Sequence, residues 1–72
     1  MASAKEVTTS ELLALIDEYV HRERDRHILK RRLIDGIIFE DLAEEFDLSE
    51  RQVKRIVYRE SDKVFKHLGG LK

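Results

Sequence analysis

Apolar residues recur every three or four positions along most of this chain, which is the spacing of amphipathic α-helices. One apolar stripe lies within residues 12–20 and a second within residues 28–34. On a single straight helix, at about 100° per residue, the second stripe would point roughly a quarter-turn away from the first. The pattern therefore predicts two helices, about 9–21 and 24–35. A single bent helix is the alternative, because neither Gly nor Pro marks the joint.

Two more helices are predicted in the second half of the chain. Gly36 ends the second helix, because glycine readily adopts the left-handed conformation that follows many helices. Apolar residues at helical spacing then predict a short third helix at about 39–46 and a fourth that reaches about Leu68. Asp47 and Leu48 form the tight turn between them.

Two capping boxes mark helix starts. In this motif a hydroxyl side chain binds the backbone three residues on, and a Glu or Gln there binds back. Thr8 and Glu11 fit the motif before the first helix, and Ser49 and Gln52 fit it before the fourth. Ile38, before the third helix, has no capping side chain, so that end relies on the acidic residues that follow it.

These elements predict a single all-α domain in residues 1–72, a small bundle of about four helices. We expect residues 1–8 to be disordered and residues 9–35 to form an N-terminal helical part. Residues 37–68 have the length and turn spacing of a helix-turn-helix with an extended recognition helix. The chain has no Cys for a disulfide and no apolar run near the ~20 residues of a membrane span.

The charges alternate in blocks, although the net charge is only −1. Residues 21–35 carry six bases and three acids, and because the two signs are interleaved we expect these bases mainly to form surface pairs. A phosphate contact from Arg31 or Arg32 is the alternative. Residues 36–50 carry six acids and no base, whereas residues 51–72 carry seven bases and two acids. Such blocks favour one basic face on an otherwise acidic body, and a basic face is typical of proteins that bind nucleic acids.

The predicted fourth helix has an apolar side and a basic side. Val53, Ile56, Val57 and Val64 project together, which predicts that they face the core. The remaining surface carries long donor side chains and begins at a helix N-terminus with free N–H groups. Exposed donors of this kind suit contacts with phosphates and with base edges in the major groove of DNA.

Each basic residue of this helix can be given an expected role. Arg51 and Arg55, one turn apart, suit guanine edges or phosphates. Lys54, Arg59 and Ser49 are expected to hold phosphates. Ser49 and Glu50 lie at the end of the helix that usually enters the groove, where Glu50 either accepts from cytosine or repels a misplaced phosphate. The predicted DNA-binding residues are Ser49, Glu50, Arg51, Gln52, Lys54, Arg55 and Arg59.

A family pattern runs through the same region. It reads R-x-x-I-L-x-x-R, then D/E-G, then a hydroxyl residue, then E-x-I/L-A-E-x-L/F-G-x-S, and then V-K-x-I. Here it is carried by Arg26, Ile28, Leu29, Arg32, Asp35, Gly36, Glu40, Leu42, Ala43, Glu44, Phe46, Ser49, Val53, Lys54 and Ile56. On these residues the segment 24–68 resembles region 4 of bacterial RNA polymerase sigma factors, and it is similar to the small sigma-region-4-like regulators of phages and prophages.

The resemblance implies a cytoplasmic transcription regulator, encoded by a bacterium or a phage, that binds double-stranded DNA. It implies that the helix from Ser49 to Arg59 enters the major groove of a promoter element and that the same domain can contact RNA polymerase. Two positions depart from the pattern: Asp47 stands where the family has Gly, and Ile38 stands where it has Thr or Ser. Asp tolerates the left-handed conformation better than most residues, so the turn remains feasible.

Tyr58 and Phe65 lie off the inner side of the fourth helix and widen its apolar surface toward the C-terminus. We expect the first helix to pack there and close the domain. The alternative is a surface for a homodimer or for RNA polymerase. The rival function is accordingly a protein-interaction module, in which a helix-turn-helix scaffold contacts the polymerase or a phage partner.

Catalysis and metal binding have little support in the sequence. No nucleophile–base pair and no phosphate-cradling glycine loop is recognisable. His21 and His27 are six residues apart and face different directions on a helix, so they suggest no ligand set. We expect no enzymatic activity, no cofactor, no metal and no membrane partner.

Overall fold

The computed structural model describes residues 8–69, and within them it contains four α-helices and no strand. The helices are α1 (Thr9–Tyr19), α2 (Glu23–Leu33), α3 (Phe39–Phe46) and α4 (Glu50–Gly69). The expected all-α bundle of about four helices is confirmed. The predicted disorder of residues 1–8 falls outside the described residues, apart from Thr8, which forms the predicted capping box with Glu11.

α1 and α2 are separate helices, so the alternative of one bent helix is excluded. Val20 has extended backbone dihedrals (φ −107°, ψ 110°), and Arg22 is extended as well, which interrupts the helix without Gly or Pro. Arg26 stabilises the break, because its Nε donates to Val20 O at 2.6 Å and its Nη2 to Asp17 O at 3.2 Å. One guanidinium thus satisfies carbonyl groups that the end of α1 leaves without helical partners.

Gly36 turns the chain from α2 into α3. Its φ of +71° lies in the left-handed region, as predicted. Ile37 N donates to Arg31 O at 3.2 Å, and Arg32 Nη1 donates to Ile37 O at 3.1 Å. These bonds hold the start of α3 against the end of α2, although Ile38 provides no side-chain cap.

The turn between α3 and α4 depends on Asp47. Its backbone is left-handed (φ 57°, ψ 47°), and Leu48 N donates back to Ala43 O at 2.9 Å. Ser49 and Gln52 then form the predicted capping box, with Gln52 N donating to Ser49 Oγ at 3.1 Å and Ser49 N donating to Gln52 Oε1 at 3.0 Å. The start of α4 is therefore fixed by bonds within the turn itself.

We expect Asp47→Gly to raise the free energy of unfolding by about 0.5–1 kcal/mol. A non-glycine residue in the left-handed region is strained, and a carboxylate at the C-terminal end of α3 faces the negative end of the helix dipole. Chemical denaturation followed by circular dichroism measures the change. Asp47→Asn is the matched control, because it removes the charge alone; a glycine variant no more stable than the asparagine variant would contradict backbone strain at this turn.

The core is one apolar cluster to which all four helices contribute. Its buried residues are Ile16, Val20, Ile28, Leu29, Leu42, Val53, Ile56, Val57 and Val64. The inner side predicted for α4 is confirmed in full, and Ala43 and Leu48 pack against the cluster from the α3–α4 turn. Because this side of α4 is buried, the opposite side of the helix faces solvent.

α1 packs on α2 and α4 but leaves two aromatic residues of α4 uncovered. Ile16 enters the core, and Tyr19 stacks on His67 with 3.7 Å between the ring centroids. Tyr58 and Phe65 stay 62% and 46% exposed. The expectation that the first helix covers these two residues is therefore wrong, because α1 meets α4 at His67 instead.

Candidate nucleic-acid interface

The side of α4 that faces away from the core carries a line of exposed side chains, named here the outer stripe. Its members are Arg51, Arg55, Tyr58, Asp62 and Phe65. Successive members are three or four residues apart, so they lie within about 80° around the helix axis. The outer stripe is basic at its N-terminal end and aromatic toward its C-terminal end.

Arg51, Lys54 and Arg55 are exposed cations that lack a neutralising partner. None of the three makes an ion pair within residues 8–69. An unpaired surface cation presents its full field to an approaching polyanion, and its side chain need not break an existing ion pair to bind. The N-terminal half of α4 therefore carries positive charge that no carboxylate within residues 8–69 pairs with.

Several basic residues of α2 are, by contrast, engaged inside the domain. Lys30 Nζ lies 2.9 Å from Asp17, and Arg31 lies 2.9 Å from Glu45 and 3.2 Å from Asp35. Glu45 raises the pKa of the Arg31 guanidinium above its ordinary value, through hydrogen bonds and through its negative charge. Asp35 acts in the same two ways with a smaller effect. The surface pairing expected for this block is confirmed at these positions, which leaves less of its charge for an outside partner.

Ser49 and Gln52 use most of their hydrogen-bonding groups in the cap of α4. Ser49 Oγ accepts from Gln52 N at 3.1 Å and donates to Gln52 Oε1 at 3.3 Å. The Gln52 amide oxygen is thus turned toward the cap, so its NH₂ group is the part left to donate to an outside acceptor. Ser49 is placed to fix the helix start, and Gln52 is placed to donate beside it.

Glu50 belongs to an acidic surface next to the outer stripe. It lines a shallow depression together with Glu40, Asp41, Glu44 and Asp47 of α3 and its turn. These carboxylates repel phosphate groups and border the basic end of the stripe. Glu50 therefore belongs to a negatively charged surface at the border of the basic end of the outer stripe.

Lys54 leaves α4 on the flank that faces α3. Its Nζ lies 5.8 Å from the centre of the Phe39 ring, within the range of a cation–π contact. Arg32 lies over the same ring with its Cζ 4.3 Å from the centre, and Tyr58 meets the ring edge-on with centroids 6.0 Å apart. Arg32, Phe39, Lys54 and Tyr58 are named here the Phe39 cluster.

Arg59 lies on the flank of α4 that faces α2, and it contacts two buried carboxylates. Its Nη2 is 3.5 Å from Asp25 Oδ2 and its Nε is 3.0 Å from Glu60 Oε2, while Asp25 is 1% and Glu60 5% exposed. Arg24 lies 3.3 Å from Asp25, and Lys63 lies 3.2 Å from Glu60 Oε1 without hydrogen-bonding geometry. Because buried carboxylates require compensation, the first role of Arg59 is to neutralise this pair.

The basic residues of α4 that were predicted to bind DNA therefore do not form one surface. Arg51 and Arg55 share the outer stripe, whereas Lys54 and Arg59 lie on opposite flanks of α4. Tyr58 is absent from the predicted set, although it stands four residues after Lys54 on the same side of the helix. The four-residue spacing could have placed Tyr58 beside Lys54 from the sequence alone.

Metal binding, membrane spanning and similarity to known proteins are also indications of function. Within residues 8–69, no group of three His, Cys, Asp or Glu side chains is arranged to hold a metal ion. None of the helices in that part of the chain has both the length and the apolar character needed to cross a membrane. No protein-family model, curated protein or solved structure matches the chain.

Proposed function

We propose that this chain is a sequence-specific DNA-binding transcription regulator in which α3, the turn at Asp47 and α4 act as a helix-turn-helix. The observation that carries the proposal is the group of exposed, unpaired cations in the N-terminal half of α4: Arg51, Lys54 and Arg55. The N-terminal part of such a second helix is the part that usually enters the major groove. The resemblance to sigma factor region 4 supports the same helix and a cytoplasmic location.

Base recognition is assigned to Arg51 and Arg55. Both are exposed, and their positions one turn apart on the outer stripe let them enter one groove side by side. A guanidinium matches the O6 and N7 acceptors of guanine with two hydrogen bonds. Because neither guanidinium is paired within the described residues, neither must leave a carboxylate before it binds a base.

The acidic surface of α3 sets the orientation of the duplex. DNA carries one phosphate charge per about 1.7 Å of its axis, so a duplex is repelled by the carboxylates of this acidic surface and attracted to the neighbouring basic end of the outer stripe. The carboxylates of Glu40, Asp41, Glu44 and Glu50 are all exposed beside that stripe. A chain with a net charge of −1 can therefore bind DNA through one face, because the two signs are separated.

Titration of labelled duplexes tests the proposal. We expect the unaltered chain to bind a promoter-like and a random duplex at low salt, with an affinity that falls as salt rises because counterions are released. Selection of bound sites from a random duplex pool then supplies the preferred sequence. If neither duplex binds at micromolar protein, the proposal is wrong.

Lys54→Ala should weaken binding to every duplex alike and reduce the slope of log affinity against log salt by about one unit, the effect of losing one phosphate contact. Fluorescence anisotropy at several salt concentrations measures the slope on preferred and random duplexes. Lys66→Ala is the control on the same helix, because Lys66 lies far from the basic end and pairs with Asp62 at 3.9 Å. A loss confined to one sequence would contradict a phosphate contact for Lys54.

A protein-interaction module is the second candidate, and exposed apolar side chains favour it. Ile38, Tyr58 and Phe65 are 53%, 62% and 46% exposed. RNA polymerase, a phage protein or a second copy of the chain would cover these residues, and the helix-turn-helix would serve as a scaffold. The duplex titration separates the candidates, because this one requires no affinity for DNA.

A further inference from the structure

The Phe39 cluster brings three helices together at one exposed point. Arg32 comes from α2, Phe39 from α3, and Lys54 and Tyr58 from α4. Phe39 is packed against the core, and its ring meets the edge of the Tyr58 ring at an interplanar angle of 77°. An edge-to-face contact of this kind restricts the phenol, so the hydroxyl of Tyr58 is held at a defined place on the surface.

The cluster carries two positive charges that nothing neutralises in the described part of the chain. Neither Arg32 nor Lys54 makes an ion pair there, although Arg32 donates one hydrogen bond to the backbone oxygen of Ile37. Two cations against one aromatic ring repel each other, and an anion bound beside them relieves that repulsion. The charge of the site therefore favours an anionic ligand.

We propose that Lys54 and Tyr58 bind the same phosphate of the DNA backbone, with Arg32 as a fixed positive charge beside them. This inference rests on the proposed function and adds Tyr58 to the interface. Lys54 and Tyr58 are one helical turn apart, so their side chains are neighbours on α4. The ammonium group supplies charge, and the phenol O–H supplies a directed hydrogen bond to a phosphate oxygen.

The site positions the recognition helix. Tyr58 lies on the outer stripe next to Arg55, while Lys54 and Tyr58 both contact a ring anchored in the core. A phosphate held by this pair is therefore fixed relative to the whole bundle. Phosphate contacts carry no sequence information themselves, but they set the register in which the two arginines of the stripe meet the bases.

A double-mutant cycle on a random duplex tests the shared site. Tyr58→Phe removes one hydroxyl and keeps the ring on Phe39, so we expect roughly tenfold weaker binding, the size of one hydrogen bond to a charged group. The salt slope stays unchanged, because no charge is lost. In the Lys54→Ala background the same change should cost less than about twofold, because two groups that hold one phosphate do not act additively.

Tyr19→Phe is the matched control, since it removes the same hydroxyl from a ring that stacks on His67 elsewhere in the bundle. It should bind DNA like the unaltered chain. Normal binding by Tyr58→Phe overturns the inference, and so do penalties that simply add in the double variant. Both results leave the proposed function standing, whereas absence of duplex binding by the unaltered chain overturns the two together.

Discussion

Arg55→Ala is expected to weaken binding to the preferred duplex by about 1–3 kcal/mol and to relax the choice of base at one position. Arg55 lies in the middle of the outer stripe, one turn from Arg51, and no carboxylate pairs with it in residues 8–69. If Arg55 reads a base as proposed, its loss removes two hydrogen bonds to a base edge, and the fold is unaffected because the side chain is exposed. Competition between the preferred duplex and single-base variants, followed by anisotropy, locates the position that becomes tolerant.

Arg55→Lys separates charge from recognition. Lysine retains the positive charge but cannot form the two parallel hydrogen bonds of a guanidinium. The lysine variant should therefore keep the salt slope of the unaltered chain and still lose discrimination at the same base position. Equal losses on preferred and random DNA for Arg55→Ala would show instead that Arg55 contacts only the backbone.

Arg59→Ala is expected to lower the free energy of unfolding by about 1–3 kcal/mol, because it removes the cation that bridges two buried carboxylates. The loss stays below the full cost of an orphaned buried ion, since Arg24 and Lys63 remain near Asp25 and Glu60. In a domain of this size such a change lowers the melting temperature by several degrees. Chemical denaturation at neutral pH measures it.

Lys66→Ala is again the matched control, now for stability. The side chains of Lys66 and its partner Asp62 are 71% and 72% exposed. Their ion pair therefore contributes about 0.5 kcal/mol or less to the free energy of unfolding. A stability loss for Arg59→Ala no larger than in this control would contradict its structural role. The salt slope of DNA binding by the folded variant then decides the phosphate contact predicted for Arg59: a reduction of about one unit would give the residue both roles.

The fold was predictable where short-range chemistry decides it. The capping boxes at Thr8 and Ser49 depend on residues three apart, and the inner side of α4 depends on helical spacing alone. The turn at Asp47 follows from its place between two apolar stripes, and its left-handed conformation was expected from the resemblance, in which Gly holds this position. Each of these features depends on a few neighbouring residues, so each could be predicted from the sequence.

Features that join distant segments were not predictable. Arg59 and Asp25 are 34 residues apart, and nothing local indicates that α2 and α4 cross where they meet. The break between α1 and α2 was predicted from the change of apolar stripe, but its hydrogen bond from Arg26 Nε to Val20 O was not, because Arg26 looks like an ordinary surface arginine in the sequence. The exposure of Phe65 likewise depends on where α1 packs against α4, which is a contact between distant segments.

In the candidate site, too, features set by helical spacing were predictable and contacts between distant segments were not. The line of Arg51 and Arg55 follows from periodicity, and so does the angle of about 140° between Lys54 and Arg59. The partner that each flank of α4 meets, Phe39 for Lys54 and Asp25 for Arg59, depends on the tertiary fold. Phe39 was expected only as an apolar residue of α3, and its contacts with cations of two other helices appear in three dimensions alone. The individual residues were therefore predictable, but their division of roles was not.

We expect α1, which the break at Val20 separates from α2, to open more easily than the contact between α2 and α4. Within residues 8–69, α1 packs on α2 and α4, and it adds Ile16 and the adjoining Val20 to the core. Detaching it exposes less apolar surface than separating α2 from α4, so this local unfolding requires less free energy than global unfolding. The amide protons of α1 therefore exchange with deuterium before those in the buried part of α4, while the α3–α4 unit keeps its shape.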